Sequence, residues 1–153
     1  MPNAIELLKE DHRKVKKLLE QGDDTTENAV KTRTEVLEKI KSEMQIHETI
    51  EEEIFYPALQ QHEKAKEVVL EGYEEHHVVN QILGELNDVS VEDERWAAKF
   101  SVMKENIEHH IGEEEDDMFK KAKQIFSDDE LDELGDRMEA KKQQSRGSGK
   151  RGS

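Results

Sequence analysis

Two short stretches of this chain set an imidazole and a carboxylate four residues apart: His47-Glu48-Thr49-Ile50-Glu51 and His110-Ile111-Gly112-Glu113-Glu114. Residues four apart on a helix stand one turn above each other, so each stretch aims a nitrogen donor and an oxygen donor the same way. Such a pair chelates metal ions. Each copy then runs into an acidic cluster and an aromatic residue, Glu52-Glu53-Ile54-Phe55-Tyr56-Pro57 in the first and Glu115-Asp116-Asp117-Met118-Phe119 in the second. The repetition argues against coincidence, and the rest of the chain reads as scaffolding that brings the two pairs together.

The elements that must position them are helices. Residues 3–21 predict the first, with Asn3 as N-cap, Gly22-Asp23-Asp24 as the break, and an apolar stripe of Ile5, Leu8, Val15 and Leu19 that contains His12. A second helix over 26–56 carries Val30, Leu37, Ile40, Met44, Ile54 and Phe55 on one face together with His47 and Glu51, and Pro57 is expected to end or kink it. Beyond a polar segment at 60–63, the third helix, 64–88, presents Val69, Val79, Leu83 and Leu86, with His76 at the edge of that face and His77 turned away. Ser90 followed by Asp93 is an N-cap signature for a fourth helix through about 125. Its stripe of Trp96, Phe100, Met103, Ile107, Met118 and Ala122 holds His110 and Glu114, leaving His109 and Glu113 outside. Ser127-Asp128-Asp129-Glu130 is a further capping box, opening a short fifth helix through about Lys142 with Leu131, Leu134 and Met138. The remaining basic tail, 143–153, has nothing to bury and is expected to be disordered.

Six polar residues, His12, His47, Glu51, His76, His110 and Glu114, thus fall in or at the edge of the apolar stripes of four helices. One histidine on an apolar face is ordinarily a satisfied core residue. Four of them, one per long helix and two with a carboxylate at i+4, are a different matter. An ionised carboxylate in an apolar core costs several kcal/mol unless it is paired or metal-bound, and no Lys or Arg falls on these stripes near enough to pair. Four nitrogens and two carboxylates exceed what one tetrahedral zinc needs, and they suit two ions bridged by Glu51 and Glu114. Imidazole and carboxylate without sulfur favour iron or manganese over copper. Other motifs fit less well. His-Glu-x-x-His is absent because position 51 is Glu, the ferritin-like pattern needs two Glu-x-x-His repeats where only Glu74 to His77 occurs, and the run Glu113 to Asp117 lacks the glycine of a calcium loop. A metal-free helical interaction protein would require all six polar positions to be accidental.

Composition agrees with a slim bundle. The chain has 153 residues, 33% hydrophobic and 40% charged, enough for one domain, which we place at 1–142. Its net charge is −15, and since 141–153 contain five basic residues and no acid, the first 140 carry 18 basic against 38 acidic groups. So acidic a body repels phosphate backbones and anionic lipid, which sets nucleic acid and membranes aside as partners. With no cysteine, thiolate sites, iron–sulfur clusters and disulfides are excluded. The opening residues lack a signal-peptide core, so the expectation is a soluble, cytoplasmic protein.

From Leu8-Lys9-Glu10-Asp11-His12 through His47-Glu48-Thr49-Ile50-Glu51 and Glu75-His76 to His110-Ile111-Gly112-Glu113-Glu114, the chain resembles a hemerythrin-like protein of the HHE cation-binding type. The order His, His-x3-Glu, His, His-x3-Glu carries that resemblance far more specifically than either pair. It implies an all-α, up-down four-helix bundle around two non-haem iron ions bridged by carboxylates. By position, the bridges are Glu51 and Glu114 and the histidine ligands are His12, His47, His76 and His110, with Glu48 a further candidate and His62 an outlying one. Oxygen-carrying hemerythrins have two histidines four apart on the third helix and His-x4-Asp on the fourth. Here Asn80 follows His76 at i+4 and the fourth helix has His-x3-Glu. Fewer nitrogens and more carboxylate favour the ferric state over reversible oxygen carriage. The resemblance therefore implies binding of, or reaction with, oxygen, hydrogen peroxide or nitric oxide, including catalase-like peroxide disproportionation. Iron storage or iron/oxygen sensing is the alternative.

Overall fold

The computed structural model describes the backbone of residues 2–152 and the side chains of residues 2–147. Within them the chain is a helical bundle: α1 (Ala4–Asp23), α2 (Val30–Ile50), a π-helical turn (Glu51–Phe55), α3 (Tyr56–Gln60), α4 (Glu63–Asn87), α5 (Glu94–Glu113), a second π-helical turn (Glu114–Met118), α6 (Phe119–Ile125) and α7 (Asp128–Gly152). The π turns join α2 to α3 and α5 to α6 without a break, so five rods make up the described residues.

Local chemistry sets the ends of these rods. Asn3 caps α1 in a reciprocal box, its side chain accepting from the Glu6 amide at 2.9 Å while the Glu6 carboxylate accepts from the Asn3 amide at 3.1 Å. Ser127 and Glu130 repeat the device at the start of α7. The fourth rod is capped by Asp93, not Ser90: the Asp93 carboxylate accepts from the Arg95 amide at 2.9 Å, whereas the Ser90 hydroxyl bonds only the Glu92 amide in the preceding turn. The second rod begins at Val30 rather than 26, and Val30, expected inside, is 40% exposed, while Arg33 on the same first turn is the buried one, over the Trp96 ring. Pro57 does not end this rod. A π turn shifts backbone bonding from i−4 towards i−5, and Pro57, which has no N–H to place in either pattern, sits just after that change of register, at the start of α3.

The apolar core lies in two parts. One contains Ile5, Leu8, Phe55, Tyr56, Phe119 and the inner face of α7, and the other contains Leu19, Ile40, Met44, Trp96, Phe100 and Met103. Between them falls a layer of buried polar side chains. α7 closes the first part with Leu131, Leu134 and Met138, and Gly135 allows it to lie directly on the N-terminal segment, since a Cβ there would stand 2.7 Å from the Pro2 carbonyl oxygen. The expectation of disorder from 143 is corrected by this helix: 143–147 continue α7, tethered by Lys142 on Asp11 and by Arg146 near Glu43 at 3.5 Å. Side chains from 148 onward lie outside the described residues. No helix among the described residues is long and apolar enough to cross a membrane.

Candidate metal centre

The polar layer is made of the six residues picked out by spacing. His12 comes from α1, His47 from α2, His76 from α4 and His110 from α5, and Glu51 and Glu114 are each the first residue of a π turn. All six are buried, whereas His77 and His109 are exposed, as their positions on the helical wheel require.

Their donor atoms form two groups that share both carboxylates. His12, His47, Glu51 and Glu114 make one, and Glu51, His76, His110 and Glu114 the other, with the atoms of each group within 4.8 Å of one another. The histidine Nε2 atoms face inward. His12 Nε2 is 2.9 Å from Glu114 Oε1, and His76 Nε2 is 3.0 Å from Glu51 Oε1. His47 Nε2 and His110 Nε2 stand 3.2 Å from Glu51 and 3.4 Å from Glu114, yet neither has a partner in hydrogen-bonding geometry, nor does Glu51 Oε2. Buried polar atoms without partners cost about 1–3 kcal/mol each. Three of them aimed at the same interior are what a cation would satisfy, and the donor set is therefore a fit for one.

Sequence reasoning missed the ring around these six. Every histidine turns its Nδ1 to a carboxylate: His12 to Glu115 at 2.7 Å, His47 to Asp11 at 3.0 Å, His76 to Glu52 at 2.7 Å and His110 to Glu75 at 2.5 Å. Donating Nδ1–H outward fixes each tautomer and leaves the Nε2 lone pair for the interior, as metal-binding histidines require. Each of these acids sits one residue from a histidine or glutamate of the six, a signal present in the sequence but hidden among many surface acids.

Tyr56 was missed too. Its hydroxyl donates to Glu114 Oε2 at 2.6 Å and lies 3.4 Å from Glu51 Oε1 and 3.5 Å from His76 Nε2. The π turns explain its position, because one extra residue per turn brings the fifth residue after each shared glutamate over the site. After Glu51 that residue is Tyr56, stacked on His76 at 5.4 Å. After Glu114 it is Phe119, stacked on His12 at 5.8 Å. Gly72 makes room for the tyrosine: a Cβ there would meet its hydroxyl oxygen at 2.8 Å.

Two outlying candidates fall elsewhere. His62 is exposed at the start of α4, edge-on to Phe126. Glu48 is buried, but it accepts from Asn80 at 2.8 Å and groups with Glu52 and His76 rather than with either central set. Asn80, at i+4 from His76, thus faces Glu48.

Protonation follows from burial and pairing. In the metal-free protein, burial alone would lower His47 and His110, but the charges of Glu51 and Glu114 outweigh it and hold both well above 6.5. For His76, bonds to Glu51 and Glu52 overcome burial and raise it to about 9. Burial would raise Glu114, yet the His110 charge and its hydrogen bonds hold it well below 4.5. Burial and the Glu114 charge push the Tyr56 hydroxyl upward, so it remains a donor. Without a cation, His47, His76 and His110 keep the charge that the carboxylates beside them favour.

The hemerythrin HHE cation binding domain model matches residues 3–122. The chain belongs to this family. It is similar to uncharacterized protein Rv2633c of Mycobacterium tuberculosis and uncharacterized protein Mb2666c of Mycobacterium bovis, each 30% identical over 147 residues that span 95% of this chain and 89% of the relative. Among solved structures it is similar to a hemerythrin HHE cation binding domain-containing protein from Mycobacterium kansasii, an Rv2633c homolog. That comparison gives a TM-score of 0.86 at 32% identity, covering 97% of this chain and 90% of the other. For a member of a cation-binding family, the buried His/Glu layer is the place where a cation fits.

Proposed function

We propose that this hemerythrin-like protein is an up-down bundle holding two non-haem iron ions, one at His12, His47, Glu51 and Glu114 and the other at Glu51, His76, His110 and Glu114. Glu51 and Glu114, common to both groups, would hold both ions, and the protein would bind or react with oxygen, hydrogen peroxide or nitric oxide. The observation that carries this reading is the four outward Nδ1–carboxylate bonds, which turn four Nε2 atoms onto two shared carboxylates. Iron bound there would supply Lewis acidity and electrons for the reaction of a small oxidant. The chain's own residues do the rest. Asp11, Glu52, Glu75 and Glu115 fix the imidazole tautomers, and the two apolar clusters exclude bulk water from the layer between them. The Tyr56 hydroxyl, 2.6 Å from Glu114, offers a further oxygen donor to the second group and holds a proton beside the space that a small ligand would enter.

Catalase-like disproportionation, two hydrogen peroxide molecules giving two of water and one of oxygen, is the reaction we infer. Aerobically purified protein should carry about two irons per chain by elemental analysis and release oxygen from peroxide at an electrode, and the Glu51→Ala and Glu114→Ala variants should not. Iron present without oxygen release would leave iron storage or sensing as the function. A folded chain that takes up no iron when loaded anaerobically with the ferrous ion would overturn the reading.

A further inference from the structure

The four outer carboxylates are not equivalent. The side chains of Glu115, Glu52 and Glu75 are 30%, 38% and 25% exposed, so water screens their charge. Asp11 is 2% exposed, and its second oxygen, Oδ1, accepts from the Lys142 ammonium of α7. Among the described residues no lysine or arginine pairs with the other three. Lys142 itself is buried and lies beyond the residues that the family model matches. It comes to Asp11 because α7 folds back along α1, with Met138 one turn earlier seated in the core.

A carboxylate that accepts from Nδ1–H pushes electron density through the imidazole and strengthens Nε2 as a donor. A lysine on the far oxygen of that carboxylate withdraws part of the push, and in a buried setting the withdrawal is little screened. Of the four histidines only His47 is subject to it. Its group, His12, His47, Glu51 and Glu114, therefore differs from the group with His76 and His110, although each has two histidines and the same two glutamates.

We propose that Lys142, acting through Asp11 on His47, is a positioning residue that makes the His12/His47 position the weaker of the two cation sites. This rests on the two-ion reading above. It also gives α7 a role beyond closing the core, since the charge that tunes the site is delivered by that helix.

Calorimetric titration of the metal-free full chain with ferrous iron under anaerobic conditions tests it, with circular dichroism on each variant to establish folding. The wild type should show two binding events of unequal affinity. Asp11→Asn keeps an acceptor but removes the push, and should weaken the weaker event about 10- to 100-fold while leaving the tighter one unchanged. Lys142→Met removes the withdrawal and should move the same event the other way, to several-fold tighter binding. Lys142→Arg should restore the wild-type pair of affinities, and Glu75→Gln should weaken the tighter event instead. A purely structural role for the contact predicts that Asp11→Asn and Lys142→Met weaken binding together; that result, or equal effects on both events, would overturn the proposal. If Lys142→Met does not fold, Lys142→Gln takes its place under the same criteria. A wild-type chain that binds no iron overturns this proposal and the two-ion reading alike, whereas two events insensitive to Lys142 overturn this one alone.

Discussion

Glu114→Ala is the most informative single change. The carboxylate is 1% exposed, accepts from Tyr56 at 2.6 Å and lies 2.9, 3.4 and 3.9 Å from the inward nitrogens of His12, His110 and His47. In metal-free protein its removal leaves buried imidazoles without their counter-charge. Breaking a buried pair from one side costs roughly 3–5 kcal/mol, a large fraction of the 5–15 kcal/mol that stabilises a typical domain. In the metal-bound protein the effect doubles in kind, because Glu114 belongs to both donor groups. Each group falls from four ligands to three. His12→Ala, by contrast, removes a ligand from one group only. Elemental analysis after dialysis should therefore find close to two ions per chain in wild type, about one in His12→Ala and almost none in Glu114→Ala. Urea denaturation of the metal-free forms should place Glu114→Ala several kcal/mol below wild type. If Glu114→Ala kept two ions and an unchanged urea midpoint, the shared-carboxylate geometry would not describe the site.

Further outcomes follow from the same geometry. Chelation should lower the melting temperature: at free metal a thousandfold above Kd the bound ion contributes about 4 kcal/mol, on the order of 10 °C for a chain of this size, as scanning calorimetry would register. In metal-free protein His76 is raised from 6.5 to about 9, so the folded state holds that proton more tightly than the unfolded chain does. The resulting stability, on the order of 3 kcal/mol, is complete below pH 6.5 and lost as the pH rises through 9. Glu114, held well below 4.5, contributes in full above that pH and fades as the pH falls further below it; urea midpoints measured from about pH 2 to 10 would trace both limbs. Tyr56→Phe should keep the bound iron but change its visible spectrum if the phenol oxygen is a donor. Gly72→Ala, whose Cβ would lie 2.8 Å from the Tyr56 hydroxyl oxygen, should reproduce that change and cost about 1–3 kcal/mol through overpacking.

The six central residues and their helices were legible in the sequence because both rest on one rule. A residue's place on a helix face follows from its number, and a polar residue inside an apolar stripe stands out wherever it occurs. His76 was separable from His77, and His110 from His109, on that basis alone. The same rule failed after Glu51 and Glu114, where the helices open into π turns. One extra residue resets the wheel there, so Tyr56 arrives over the site while the regular period gives no sign of it. Val30 failed for a different reason, since the wheel gives a direction but not whether another element covers it.

What the sequence determined by itself, then, was the family, the helical class and the inward set of four histidines and two glutamates, all of which depend on spacing within single helices. Only the tertiary structure decided which surface acids hold the imidazoles. Glu115 serves His12 and Glu75 serves His110 across helix boundaries, and no spacing within one rod encodes which acid of a neighbouring rod lies within 3 Å. The same is true of Lys142, which reads as the end of a short helix before a loose tail and becomes Asp11's partner only when Leu131, Leu134 and Met138 dock α7 against the bundle. Burial then gives that pair its weight, because a charge that would be screened at the surface acts almost undiminished beside a buried histidine.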